Sequence, residues 1–176
     1  MISDTAKNLA SQGMIDHSIK TWKNSESLFF NLFPSLTQAG ERDNINHIDF
    51  EFDSFDGRID VKGLKFSHLK GFVLLELINV QGKIGWCHQN SKADFFAFQF
   101  PEGFYMASKN DILQLLRGLL PEFNPSPERR SKHNNYEALL YTYCGRVGRK
   151  DIFTYIRKED LNKIPSCFYP IVYDEQ

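Results

Sequence analysis

Asp49, Asp60 and Lys62 carry the residue types and spacing that could do chemistry here. Asp49 belongs to the alternating stretch His47 to Asp53, and Asp60 and Lys62 belong to a second, Arg58 to Leu64. Phosphodiester hydrolysis needs a metal that neutralises the phosphate and lowers the pKa of its water, with a cation near the attacking oxygen. Carboxylates on adjacent strands suit Mg²⁺, a hard ion that takes oxygen ligands and keeps several waters, and Mn²⁺ accepts the same donors. A lysine two places after an acid shares its strand face, so Lys62 reaches the same water or phosphate as Asp60. Val61 between them offers a backbone carbonyl.

These residues need a hairpin to hold them. Ile48, Phe50 and Phe52 alternate with His47, Asp49, Glu51 and Asp53, and Asp56-Gly57 supplies the turn. Beyond it Ile59 and Val61 point inward and Asp60 and Lys62 outward. Ile2 to Phe33 reads as helical, with Ile15, Ile19, Trp22, Phe29 and Phe33 on one apolar stripe and Glu26 in its midst. A carboxylate on such a line requires a cation or hydrogen-bond donors. Phe72 to Val80 is apolar on both faces, apart from Glu76 and Asn79, and predicts a central strand covered on two sides. Asp94 to Phe100 and Phe104 to Ala107 predict two more strands, Asn110 to Leu120 an amphipathic helix ended by Pro121. Glu137 to Cys144 and Asp151 to Arg157 predict strands, the first with a helical alternative, and Lys158 to Ile164 a short helix.

Asp49, ten intervening residues and then Asp60-Val61-Lys62 resemble the signature of the PD-(D/E)XK nuclease superfamily, the restriction-endonuclease-like fold. Glu26 matches the acid that this family often carries on the preceding helix, and ELINVQGKIGW (Glu76 to Trp86) followed by KADFFAFQF is similar to small phage-type nucleases of the class. The resemblance runs from about Glu26 to Leu120. It implies one α/β domain over 1–176, with a central mixed sheet flanked by helices: N-terminal helix 2–33, core 44–120, mobile basic loop 121–136, and C-terminal strands and helix 137–176. It also implies that Asp49 and Asp60 bind the metal with the Val61 carbonyl, that Lys62 positions the nucleophilic water, and that Glu26 adds an outer or second-metal ligand. Two positions depart from the pattern: Ile48 stands where proline is usual, and Asp60 where glutamate is frequent.

The implied activity is a Mg²⁺-dependent DNA endonuclease, and enzymes of this type often pair as homodimers. Its rivals are a DNA- or protein-binding module that kept the fold without cutting, a Holliday-junction-resolving enzyme, and a phage-borne protein that blocks a host enzyme. A formal net charge of −1 excludes coating nucleic acid through overall charge, yet permits a local basic groove above an acidic centre. Lys83 and Lys92 around Trp86, and Arg129, Arg130, Lys132, His133, Arg146, Arg149 and Lys150, are the candidate phosphate contacts. Glu76 reads equally as a site residue or as a charge meeting a cation, and Gln99 as a sheet hydrogen-bond partner. His47, Asp49 and Glu51 share a face that could hold a transition metal, but no second histidine has ligand spacing. GRVG at Gly145 to Gly148 lacks the lysine of a phosphate loop. At 41% apolar and 24% charged residues, with 16 Phe, the composition is globular and its core aromatic. Cys87, Cys144 and Cys167 are scattered thiols, and neither a leader nor a transmembrane run stands out, so a soluble cytoplasmic protein is expected, in the host cytoplasm if phage-encoded.

Overall fold

The computed structural model describes residues 24–40, 48–52, 57–120, 129–130, 135–146 and 148–171. Helix α1 covers residues 24–32. The strands follow as β1 (Leu36–Gln38), β2 (Phe50–Phe52), β3 (Arg58–Lys62), β4 (Phe72–Ile78), β5 (Phe95–Phe100) and β6 (Gly103–Ser108). Helix α2 (Lys109–Leu119) leads to β7 (Arg129–Arg130), β8 (Cys144–Gly145), β9 (Ile152–Arg157) and β10 (Ser166–Pro170). The result is mixed α/β and mostly antiparallel. One sheet has six strands in the order β1-β2-β3-β5-β6-β10, the other four in the order β4-β9-β8-β7. Within the first, β3 and β5 run parallel, Asp60 opposite Phe96 and Lys62 opposite Phe98, while its other pairs are antiparallel.

Alternation divides the six-stranded sheet into two faces. Phe50, Ile59, Val61, Ala97 and Phe104 pack with Phe29 of α1 on one of them. Phe96, Phe98 and Phe100 face the other way, against Val73 and Leu75 of β4, Ile156 of β9 and Ile112 and Leu116 of α2. Asp60 and Lys62 project on this second face, beside the aromatic core and not out into solvent. Helix α2 is started by Ser108, whose hydroxyl accepts the Asp111 N–H at 3.1 Å. It stops at Leu120, which is extended ahead of Pro121.

Several expectations change. β4 is an edge strand of the second sheet, not a central strand. Its apolarity on both faces has another origin: Val73 and Leu75 meet the main core, while Phe72 packs with Tyr136, Leu139, Phe153 and Tyr155 on the reverse. Glu137–Leu139 is a 3-10 turn rather than strand, and Tyr141 with φ 54 interrupts the chain before β8. Lys158–Lys163 is helical but of the 3-10 kind. β1 and β10 were not expected, nor was β7 inside the basic segment 121–136, most of which lies outside the described residues. The predicted helix before residue 24 and the hairpin turn at Asp56 lie outside them too. No helix among the described residues is long and apolar enough to cross a membrane.

Candidate metal centre

Strands β2 and β3 pair antiparallel with Phe50 opposite Ile59, and the Asp49 N–H donates to the Ile59 carbonyl at 2.8 Å. Continuing that register sets Asp49 opposite Asp60, so the two side chains share the face away from Phe50 and Ile59. Both are buried, 5% and 2% exposed. The Val61 N–H donates to Asp49 Oδ2 at 2.6 Å, tying the first acid to the strand that carries the second. Lys62 Nζ lies 2.6 Å from Asp60 Oδ2 and 4.4 Å from the centre of the Trp86 ring. Lysine, acid and indole thus form one packed unit, the indole face adding a cation–π attraction to the ion pair. The structure therefore brings the expected triad together.

The electrostatics are those of a crowded acid pair. Asp49 is pushed up to about 8, chiefly by burial and then by the Asp60 charge, with Glu26 adding to it. The Val61 N–H and Lys62 pull in the opposite direction without matching this. Asp60 Oδ2 is buried, and among the described residues its close partner is the Lys62 ammonium. Like-charged carboxylates out of water repel, and a divalent cation between them relieves the repulsion. Among the described residues no group of three His, Cys, Asp or Glu converges to hold an ion. Glu26 is half-buried on α1 and acts on Asp49 through its charge. Glu51 is exposed, and His47 of the alternative transition-metal set lies outside the described residues.

A second ring of charge surrounds the pair. Glu76 on β4 has its pKa raised by burial, with Asp151 contributing, while Lys65, Lys62 and Arg146 oppose the shift. Arg146 pairs through Nε with buried Asp151, whose other carboxylate oxygen has no hydrogen-bond partner. Lys65 is exposed along its length, yet crowding around its ammonium and the neighbouring Lys62 charge lower it to about 8. Glu76 is thus both a site neighbour and an acid meeting cations. Arg146, expected as a free phosphate contact, reaches the acidic centre already paired with Asp151.

Sequence reasoning missed Lys65, Trp86 and Asp151 as parts of this assembly. Lys65 had a usable signal, since it follows Lys62 directly across the strand end at Gly63. Trp86 and Asp151 had none, because folding alone brings them to Lys62 and Arg146. Lys83, Lys92, Arg149 and Lys150 are exposed, the stem of Lys150 running alongside Gly82. Arg129 and Arg130 sit on β7, paired parallel with β8, and Lys132 and His133 lie outside the described residues. Gln99 is structural: its side-chain carbonyl accepts from the Ser25 hydroxyl of α1 and from the Leu64 N–H at 3.1 Å. Its backbone carbonyl meets His68 Nδ1 at 2.7 Å, and burial pushes that imidazole down to about 3, so it stays neutral.

No family model matches the chain, and comparison with curated proteins and with solved structures finds no significant similarity.

Proposed function

We propose that the protein is a Mg²⁺-dependent DNA endonuclease of restriction-endonuclease-like type, with Mn²⁺ able to substitute. The observation that carries this reading is the buried Asp49–Asp60 pair with Lys62 at 2.6 Å on the same strand face. Support for the fold comes from the order of strands: an antiparallel β2–β3 pair bearing the acids, then the parallel partner β5 after a crossover, then antiparallel β6. Asp49, Asp60 and the Val61 carbonyl are the oxygens we assign to the metal, with Glu26 outside them. When bound, the ion supplies charge neutralisation at the phosphate and a water of lowered pKa.

The chain's own residues do the rest. Asp49 and Asp60 fix the site on two paired strands, and the Val61 N–H holds the Asp49 carboxylate in orientation. Lys62, pressed between Asp60 and Trp86, offers ammonium protons to orient the attacking oxygen toward the phosphorus. Lys65 and Arg146 raise the local positive charge where the phosphate backbone arrives.

The test is cleavage of supercoiled plasmid, linear duplex, single strand and four-way junction with Mg²⁺, Mn²⁺ or EDTA, for the wild type, Asp60→Ala and Lys62→Ala. Metal-dependent cutting lost in both variants is expected, the preferred substrate naming the subclass. Folded, metal-loaded wild type that cuts nothing would overturn the assignment.

A further inference from the structure

A hollow that neither Asp49 nor Asp60 lines is present elsewhere in the fold. It opens between α2 and the turn that follows β4 and has a volume of about 570 Å³. That size holds a small organic molecule. Its floor is apolar, formed by Leu116 and Cys87, with Leu77, Leu113 and Leu120 rising around it. Leu113, Leu116 and Arg117 fall on one stripe of α2 at helical spacing, and Leu120 follows at its C-cap, so Arg117 sets a cation within an otherwise aliphatic edge. Across the opening stands Lys83, carried by a tight turn. The Asn79 side chain accepts the N–H groups of Gln81 and Lys83 at 3.0 and 3.1 Å, and Gly82 adopts φ 78.

Among the described residues the lining contains Lys83 and Arg117 but no aspartate or glutamate. Neither cation makes an ion pair among the described residues. On a chain of net charge −1, two cations above an aliphatic floor with no acid among its described lining residues make a charge pattern with a direction. His88 also lines the hollow, its Nδ1 accepting the Asn90 N–H at 3.1 Å.

We infer that this hollow binds an amphipathic monoanion: a small molecule with an aliphatic body lying over Leu116 and Cys87 and a carboxylate held between Lys83 and Arg117. The inference does not depend on nuclease activity, because neither Asp49 nor Asp60 lines the hollow.

Titration of the full-length protein with decanoate below its micelle concentration tests this, with decanol and decyltrimethylammonium as matched neutral and cationic probes. Binding is read by calorimetry and by amide NMR shifts. Saturable one-site binding of decanoate is expected, with shifts confined to the turn after β4 and the C-terminal half of α2. Octanoate should bind about tenfold more weakly, as two fewer buried methylenes imply. The charge-reversed double variant Lys83→Glu/Arg117→Glu should lose at least about tenfold in affinity for decanoate, the size of one favourable charge contact. Should that variant fail to fold, Leu113→Trp fills the hollow from the half-buried helix edge and should block binding. Equal binding of the cationic probe, non-saturable uptake, or decanoate affinity unchanged by these variants would overturn the inference.

Discussion

The chain buries acids in two contrasting ways. Asp160, 2% exposed, is fully served: its carboxylate accepts the Tyr141 hydroxyl at 2.7 Å and the Arg157 N–H at 2.9 Å, and pairs with Lys163 at 2.6 Å. Lys163, Tyr141 and the Arg157 amide hold it below the usual carboxylate range despite the opposing cost of burial. Asp49 and Asp60, buried to the same degree, face each other with one lysine between two charges. Folding gains from the first arrangement and is opposed by the second. Acids kept where they destabilise the fold are the usual mark of a working site, whereas Asp160 is a fastening.

The sharpest way to break this comparison is to remove Lys62. Lys62→Ala should lower metal-dependent cleavage by about 10²–10⁴-fold, the range for a positioned proton-handling group, with the fold intact by circular dichroism. Asp160→Ala should leave cleavage per folded molecule unchanged, and a comparable loss there would erase the distinction. The next largest effect falls on stability. Asp160→Ala leaves a part-buried hydroxyl and amide without their acceptor and should cost about 1–3 kcal/mol in urea unfolding.

Acidity sharpens the contrast, because the two acids slope in opposite directions. Asp49 rises from 3.8 to about 8 on folding, so across that span the folded state holds the extra proton and stability falls as pH rises. Asp160 is lowered on folding, so its contribution is present above 3.8 and is lost as pH drops through and below that value. Asp49→Asn should therefore flatten the decline measured between pH 5 and 8.5 in EDTA. Mg²⁺ should raise the Tm more at pH 8.5 than at pH 6, since it binds the ionised pair; equal shifts would sever the metal from these acids. The smallest effect belongs to Arg58–Asp94, a fork paired at 2.9 Å with both side chains 34% exposed. Arg58→Ala should cost no more than about 1 kcal/mol, because water screens an ion pair whose members are both partly exposed.

The local half of this site was legible in the sequence. Alternation around Asp49 and Asp60 gave both strands and the shared polar face, because period-two patterning is local. Strand order was not legible. Phe72 to Ile78 reads the same whether it is central in one sheet or at the edge of another, provided both faces are covered. β10 was hidden because it is short, mostly exposed and ends in Pro170, with too few residues to show an alternation, and its partner β6 lies far back in the chain. Trp86 beside Lys62 and Asp151 beside Arg146 depend on where the chain returns after long excursions, which no spacing records.

The parallel β3–β5 pair has a consequence for the order in which the centre comes into being. Asp49 and Asp60 can meet as soon as one hairpin closes, but β5 and Trp86 reach β3 only after residues 63–94 have been laid down and turned back. Short-range closure is fast and long-range pairing slow. During synthesis the emerging chain thus carries a paired set of acids before Lys62 has the indole that steadies it. The full arrangement around Lys62 therefore matures later than the acid pair within it, a delay built into the connectivity itself.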